Sequence, residues 1–340
     1  MTHLVMIACS LLTQAAAQDS PASAAPKVRK IAVGGEGGWD YLTVDPDARR
    51  LYVSRGNRVV VLDLDKEIVV GELADTPGVH GIAVVPELGK GFTSNGSDSS
   101  VTVFDLKTLK ATGKIKASGV PDAILYDPAS KRVITFNHGT NDGTSIDPAT
   151  EKVAGTIAFG GEPEAAVADG KGHVFVNIRS SSEIAEFDAL SLKILHRWSL
   201  APGTRPNGLA IDAKNRRLFS GCNGNSRMVV MDADKGTVIA TVPIGRGSDG
   251  CGFDPSKGLA YSANGGDGTV TVIGESEPGQ FKAVATIPTQ ATARTMTLDP
   301  KTHRLYLSAA TPAPAAAGAQ TKGGRRGNVP GSFVIVVVGD

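Results

Sequence analysis

The sequence predicts an all-β protein, a seven-bladed β-propeller, because a unit of about forty residues is repeated along the chain. In the first copy, four short runs lie within residues 38–46, 50–54, 59–63 and 68–71. The first run of every copy ends in a corner, at Asp45-Pro46, Val85-Pro86, Asp127-Pro128, Asp169-Gly170, Asp212-Ala213, Asp254-Pro255 and Asp299-Pro300. Four short strands per copy, at a spacing of ~40–45 residues, are typical of a propeller blade.

Composition supports this fold class and limits the function. The 41 Gly and 19 Pro supply the turns that many short strands need. No stretch has apolar residues at the spacing of a long helix. The formal net charge is +1, with acidic and basic residues interspersed. Because nucleic-acid binders cluster Lys and Arg against phosphates, no nucleic-acid partner is expected.

The N-terminus predicts export. Residues 4–12 are apolar, and Ala15 to Ala17 fit a small-residue cleavage site, so residues 1–17 are interpreted as a signal peptide. The alternative is a lipoprotein box at residues 6–9. The apolar run is too short for a membrane span, and residues 18–26 read as a disordered spacer. We expect a periplasmic or secreted monomer whose residues 27–340 form one propeller.

The two ends of the chain predict how the ring closes. The last copy offers only three strands, near residues 295–298, 304–307 and 333–338. An unassigned apolar strand, residues 28–33, precedes the first blade. We expect this strand to become the fourth strand of the last blade, which covers an exposed sheet edge. The alternative leaves it unpaired.

The repeats resemble those of YVTN-type bacterial propellers, especially the periplasmic YncE-like family. The resemblance covers about residues 27–340 and rests on the repeated corner-and-strand unit. Residues 52–55 (YVSR), 92–95 (FTSN) and 261–264 (YSAN) stand where the family has its tetrapeptide. The resemblance, which includes a WD40-like arrangement of repeats, implies a seven-bladed ring outside the cytoplasm. It implies no single activity, because one such scaffold carries unrelated functions.

One polar position per blade predicts a site at the mouth of the central channel. Counting back five residues from each corner gives a ring of side chains: Asp40, His80, Asp122, Glu164, Asn207, Asp249 and Arg294. A second set follows the ends of the second strands: Arg55, Asn95, Asn137, Cys222 and Asn264, with His138 and Asn223 adjacent. We predict that both sets, together with Trp39, bind a small ligand. The alternative is that they are solvated channel residues.

The chemistry of this ring favours a cation. Asp122, Glu164, Asn207 and Asp249 are the candidate metal ligands, since carboxylate and amide oxygens suit Ca²⁺ or Mg²⁺. A neighbouring His also admits Zn²⁺ or Mn²⁺. Trp39 either stacks on a ligand or packs at a blade junction. Arg55 and Arg294 either clamp an anionic group or pair with Asp40.

Two further segments leave alternatives open. Cys222 and Cys251 fall in adjacent blades near the mouth, where a disulfide, buried free thiols and metal ligation are all open. Residues 311–330 form an insertion of Ala, Pro and Gly between two strands of the last blade. Its composition predicts a flexible loop on the mouth face beside Arg294, either a lid or an unstructured connection.

Three functions follow from these features. The leading one is an exported binding or scaffold protein with a polar central pocket that holds a small ligand and, in one version, a divalent metal. The second is a metal-dependent, lactonase-like hydrolase or lyase, in which Asp249, His80 or Glu164 is the base. It is suggested by gluconolactonase-type propellers, which place Glu, Asn and Asp around a metal on inner strands. The third is a protein-interaction platform.

Overall fold

The computed structural model describes residues 26–314 and 327–340 and shows an all-β ring of seven four-stranded sheets. Each sheet is one blade, and neighbouring strands within it are antiparallel. The predicted fold class is confirmed. The predicted signal peptide and nearly all of the spacer lie outside the described residues.

The first blade contains β2 (Leu42–Asp45), β3 (Arg50–Arg55), β4 (Arg58–Asp63) and β5 (Ile68–Leu73). The second contains β6 (Val79–Val85), β7 (Lys90–Asn95), β8 (Ser100–Asp105) and β9 (Ala111–Lys116), with a short 3₁₀ turn at Pro86–Leu88. The third contains β10 (Pro121–Asp127), β11 (Arg132–Asn137), β12 (Asp142–Asp147) and β13 (Lys152–Ala158). The fourth contains β14 (Pro163–Ala168), β15 (His173–Ile178), β16 (Glu183–Asp188) and β17 (Ile194–Ser199).

The fifth blade contains β18 (Pro206–Asp212), β19 (Arg217–Cys222), β20 (Arg227–Asp232) and β21 (Val238–Pro243). The sixth contains β22 (Ser248–Asp254), β23 (Leu259–Asn264), β24 (Thr269–Glu277) and β25 (Gln280–Pro288). The seventh contains β26 (Met296–Asp299), β27 (Arg304–Ala309) and β28 (Val334–Val338), completed by the N-terminal β1 (Val28–Ala32).

The N-terminal strand closes the ring as predicted. β1 pairs antiparallel with β28, from Val28 opposite Val338 to Ala32 opposite Val334. Ile31 is buried in a cluster that contains Leu51 of blade 1 and Ile335 of blade 7. The strand therefore covers the edge of β28 and also joins the apolar core between the first and last blades.

The core lies between the blades, because each middle strand alternates its apolar side chains between the two neighbouring sheets. In blade 1, Val60 and Leu62 pack towards blade 7, whereas Val59 and Val61 pack towards blade 2. The third and fourth blades are joined by aromatic contacts, such as Phe136 with Phe187 at 6.4 Å between ring centroids. In the part of the chain that the structure describes, no helix has the length and apolarity needed to cross a membrane.

Candidate functional site at the mouth of the channel

The predicted ring residues meet at one end of the channel because the innermost strands are irregular where these residues occur. In blades 2 to 6, the pairing of the first two strands shifts register at the ring position, as between Pro121 and Ile124 around Asp122. A bulge of this kind re-aims a side chain and relaxes strict alternation. In blades 1 and 7, Asp40 and Arg294 lie just before the strand begins.

His80 lies between two carboxylates. Its Nδ1 is 2.7 Å from Asp40 Oδ2 and 2.8 Å from Asp122 Oδ1. Burial alone lowers the pKa of His80, but the hydrogen bonds to Asp122 and Asp40 outweigh it and raise the pKa to about 10. The two carboxylates therefore favour the protonated imidazolium of His80 at neutral pH.

Asp122 also faces a second histidine. Its Oδ2 lies 3.2 Å from His138 Nε2, and the same nitrogen is 3.8 Å from Glu164 Oε2. Burial raises the pKa of Glu164 well above its usual range, and the charges of Asp122 and Asp249 add to the effect. Arg179 donates to Glu164 Oε1 at 2.8 Å and partly opposes this rise.

The other side of the ring is neutralised by an arginine. Arg294 Nε donates to Asp249 Oδ2 at 2.6 Å, and its NH2 lies 3.5 Å from Asp40 Oδ1. Asn207 Nδ2 donates to Asp249 Oδ1 at 2.7 Å. Arg294 and Asp249 are thus bonded to each other, whereas Asp40, Asp122 and Glu164 lie around the two histidines.

The structure brings the candidate metal ligands together differently from the sequence prediction. The quartet Asp122, Glu164, Asn207 and Asp249 does not form one cluster, since Asp249 pairs with Arg294 and Asn207. Among the described residues, two groups place their ligand atoms within 4.8 Å of one another. They are Asp40, His80 and Asp122, and Asp122, His138 and Glu164. Histidine with carboxylate favours Zn²⁺ or Mn²⁺ over Ca²⁺ or Mg²⁺.

Three asparagines predicted as ligand-binding residues are structural. Asn95, Asn137 and Asn264 are all fully buried. Asn95 accepts from Thr93 Oγ1 at 2.9 Å and donates to Ser100 and Thr102 at 3.1 and 2.9 Å. Asn137 and Asn264 repeat this pattern in their own blades. Because their amides are used across the hairpin, they are not available to a ligand.

Arg55 is also not a mouth residue. Its guanidinium is buried, lies 3.8 Å from the centroid of the Phe333 ring and donates to main-chain oxygens of residues 34–38. It therefore fixes the connection from β1 to blade 1. Trp39 packs against Phe333 at 5.6 Å between ring centroids, with Arg294 5.7 Å from its own ring. The junction interpretation of Trp39 is favoured over stacking on a ligand.

Cys222 and Cys251, the two cysteines in the described part of the chain, form no disulfide. Cys222 and Cys251 are free thiols, and Cys222 is completely buried. Burial raises the pKa of each thiol to about 12. Burial thus favours the neutral thiol of both residues, which argues against a reactive thiolate at either position.

Two mouth residues were not predicted from the sequence. Arg179 follows the end of β15, as His138 follows the end of β11, so the repeat itself carried the signal. Tyr41 lines a cavity of about 170 Å³ inside the channel, together with Asp249 and Cys251. Burial, and then the charges of Asp122 and Glu164, raise the pKa of Tyr41 well above its usual range. No periodicity indicated this role for Tyr41.

A wider cavity opens beside the ring. It measures about 510 Å³ and is lined by Trp39, Arg294, Thr292, Pro312 and Asn328, with glycines 38, 247, 265 and 266. Pro312 and Asn328 belong to the base of the insertion, where they form an antiparallel bridge. The insertion thus emerges at the mouth beside Arg294, as predicted. The prediction of a flexible loop concerns its central part, residues 315–326, which lies outside the described residues.

Comparison with known proteins identifies the fold. Two solved structures are similar, each with a TM-score of 0.75: U3-55K, at 10% identity, and the WD40 repeats of RRP9, at 11% identity. The alignments cover 94% of this chain and 100% and 99% of those chains. At such identity the likeness shows the propeller fold alone. No family model and no curated protein matches the chain, so the YncE-like resemblance stays a prediction.

Proposed function

We propose that this protein is a β-propeller binding protein whose mouth holds a divalent cation and, beside it, a small ligand. The observation that carries the proposal is the convergence of two histidines on the carboxylate of Asp122. Three ring carboxylates surround these histidines, and Glu164 resists ionisation there. A divalent cation bound by these carboxylates would relieve that repulsion.

The ligand would occupy the adjoining cavity. That cavity is large enough for a small molecule and has Arg294 and several backbone groups in its wall. Because Arg294 already contacts Asp249 and Asp40, it fixes the ring rather than serving as an uncommitted anion clamp. An oxygen-rich small molecule that reaches the cation from this side fits the arrangement.

Calorimetry tests the cation site. Protein freed of metal by chelation is titrated with Zn²⁺, Mn²⁺, Ca²⁺ and Mg²⁺, and we expect the strongest binding with Zn²⁺ or Mn²⁺. Asp122→Asn should weaken binding by more than the roughly 10–100-fold typical of losing an outer-shell partner. Asp47→Asn is the matched control, because Asp47 is exposed and lies away from the mouth. Absence of heat with all four ions would overturn the proposal.

Export and the YncE-like relationship belong to the same proposal. They are supported by residues 1–17 and by the repeated unit, respectively. N-terminal sequencing of the mature protein tests the first: a start at Gln18 in a periplasmic fraction is expected. An uncleaved cytoplasmic product would contradict export.

A second candidate is a protein-interaction platform. It is favoured by Ile68, Val69 and Val70, three consecutive apolar residues that are 41–51% exposed on β5, the outermost strand of blade 1. Unpaired outer strands can accept another strand. If β5 binds a partner protein, the double variant Ile68→Ser, Val70→Ser should still fold. It should no longer form the cross-links to other proteins that the wild type forms in its native compartment. Unchanged cross-links would remove this candidate.

A further inference from the structure

The two oxygens of Asp122 face different histidines. Oδ1 is 2.8 Å from His80 Nδ1, and Oδ2 is 3.2 Å from His138 Nε2. Asp122 is 5% exposed, so water does not compete strongly for either oxygen. A carboxylate placed in this way can bind two cations at once, one through each oxygen.

Each side of Asp122 has a further carboxylate. On one side, Asp40 Oδ2 is 2.7 Å from His80 Nδ1. On the other, Glu164 Oε2 is 3.8 Å from His138 Nε2. Ligand atoms placed about 2.0–2.1 Å from a tetrahedral metal are separated by about 3.3–3.4 Å. The four distances from the histidine nitrogens to these carboxylate oxygens, 2.7–3.8 Å, lie within about 0.7 Å of that separation, and the three ligand atoms of each group lie within 4.8 Å of one another.

Two polar atoms at the ring have no hydrogen-bond partner among the described residues. His138 Nε2 is shielded from solvent and has no hydrogen-bond partner among the described residues. Asn207, the next ring residue after Glu164, is 6% exposed, and its Oδ1 has no hydrogen-bond partner. Buried polar atoms without partners are costly and commonly mark a missing ion or water.

The surroundings resemble the outer shell of a metal site. Glu162 Oε1 lies 4.0 Å from His138 Nδ1, the nitrogen that would remain free when Nε2 binds a metal. Arg179 holds the Oε1 atom of Glu164, which leaves Oε2 towards His138. Such outer partners orient metal-binding side chains and raise the basicity of histidine ligands.

We propose that the mouth is a two-metal site in which Asp122 bridges two divalent cations, with Zn²⁺ or Mn²⁺ as the preferred ions. The first ion is bound by Asp40, His80 and Asp122, and the second by Asp122, His138 and Glu164. This inference rests on the proposed cation site and extends it from one ion to a bridged pair.

The test measures both the number of bound ions and their coupling. Metal-free full-length protein is titrated with Mn²⁺, bound metal is counted by elemental analysis after desalting, and the loaded protein is studied by electron paramagnetic resonance. We expect two equivalents per chain and a spectrum of two exchange-coupled ions. His138→Gln should retain one equivalent and give the six-line spectrum of an isolated Mn²⁺, and His80→Gln should do the same.

The outcomes separate this inference from the proposed function. One uncoupled equivalent in the wild-type protein would overturn the bridged pair and leave the cation site intact. Two uncoupled equivalents would overturn the bridging role of Asp122, and no bound Mn²⁺ or Zn²⁺ would overturn both proposals. The wild-type spectrum alone distinguishes a bridged pair of ions from isolated ions, so the test does not depend on whether the variants fold. Asp47→Asn, the exposed control, should behave as wild type.

Discussion

Arg49 of blade 1 donates from NH1 to Asp299 Oδ2 of blade 7 at 2.7 Å, which joins the two ends of the ring. The contact lies at the corner after the first strand of the blade, the end of the channel opposite the mouth. Residues at the same position in two other blades also pair with the corner of the preceding blade. Arg216 lies 2.9 Å from an oxygen of Asp169, and His303 Nδ1 lies 3.0 Å from Asp254 Oδ2. All three donors have positive φ, which turns the side chain towards the preceding blade.

Removal of this contact should destabilise the whole ring. Asp299 is fully buried, so Arg49→Ala leaves its carboxylate without its strongest partner, and we expect a loss of about 2 kcal/mol in the free energy of unfolding. Lys131→Ala is the matched control. Lys131 has the same position and φ in blade 3, but the residue that corresponds to Asp299 at the corner of blade 2 is Val85, which carries no charge. Denaturant unfolding measures both, and equal losses would contradict the assigned role.

The same contact predicts how stability depends on pH. Burial raises the pKa of Asp299, but hydrogen bonds from Arg49 and Thr302 outweigh it, and the net pKa is lowered. A carboxyl whose pKa is lower in the folded state contributes its full stability above its unfolded pKa, near about 3.9. This contribution is lost as the pH falls through the folded value. The difference in stability between wild type and Arg49→Ala should therefore shrink below about pH 4, and a constant difference would contradict it.

The N-terminal strand should also stabilise the ring as a whole. Ile31 packs into the core shared by blades 1 and 7, and Ile31→Ala should lower the free energy of unfolding by about 2 kcal/mol. Val28→Ala on the same strand is the control, since Val28 is 39% exposed and should cost under about 0.5 kcal/mol. Both transitions should remain single. A separate early transition in Ile31→Ala would show local fraying instead.

The buried asparagines should affect stability and leave metal binding unchanged. Asn95→Ala removes one hydrogen bond from each of the hydroxyl groups of Thr93, Ser100 and Thr102. We therefore expect a loss of about 2–3 kcal/mol in unfolding free energy. The number of bound Mn²⁺ ions should not change. Asn223→Ala is the control, because the Asn223 side chain forms no hydrogen bond to the described residues. If a folded Asn95→Ala variant lost metal binding, Asn95 would have to be assigned to the metal site.

The sequence carried the fold and the ring positions because both repeat. A period of about forty residues placed Asp40, Asp122 and Glu164 at equivalent points, and the surplus strand at residues 28–33 favoured closure of the ring over an unpaired end. What the repeat could not give was the direction of each side chain. Bulges at the ring positions and the hydroxyls that face Asn95 decide which polar residues reach the mouth.

Arg55 and Arg179 show this limit most clearly. Both occur near the end of the second strand of a blade, yet Arg55 turns into the connection beneath Phe333 while Arg179 reaches Glu164. Arg55 binds a neighbouring loop, whereas Arg179 binds the ring residue of its own blade. The repeat places both residues near the mouth, but it does not specify the direction of either side chain.

X-ray diffraction from crystals grown with Zn²⁺, recorded on both sides of the zinc absorption edge, tests the central claim most directly. We predict two anomalous peaks, each within bonding distance of one Asp122 oxygen, with His80 and His138 as their nitrogen ligands. A map with no peak at Asp122, and with His80 still hydrogen-bonded between Asp40 and Asp122, would contradict the account.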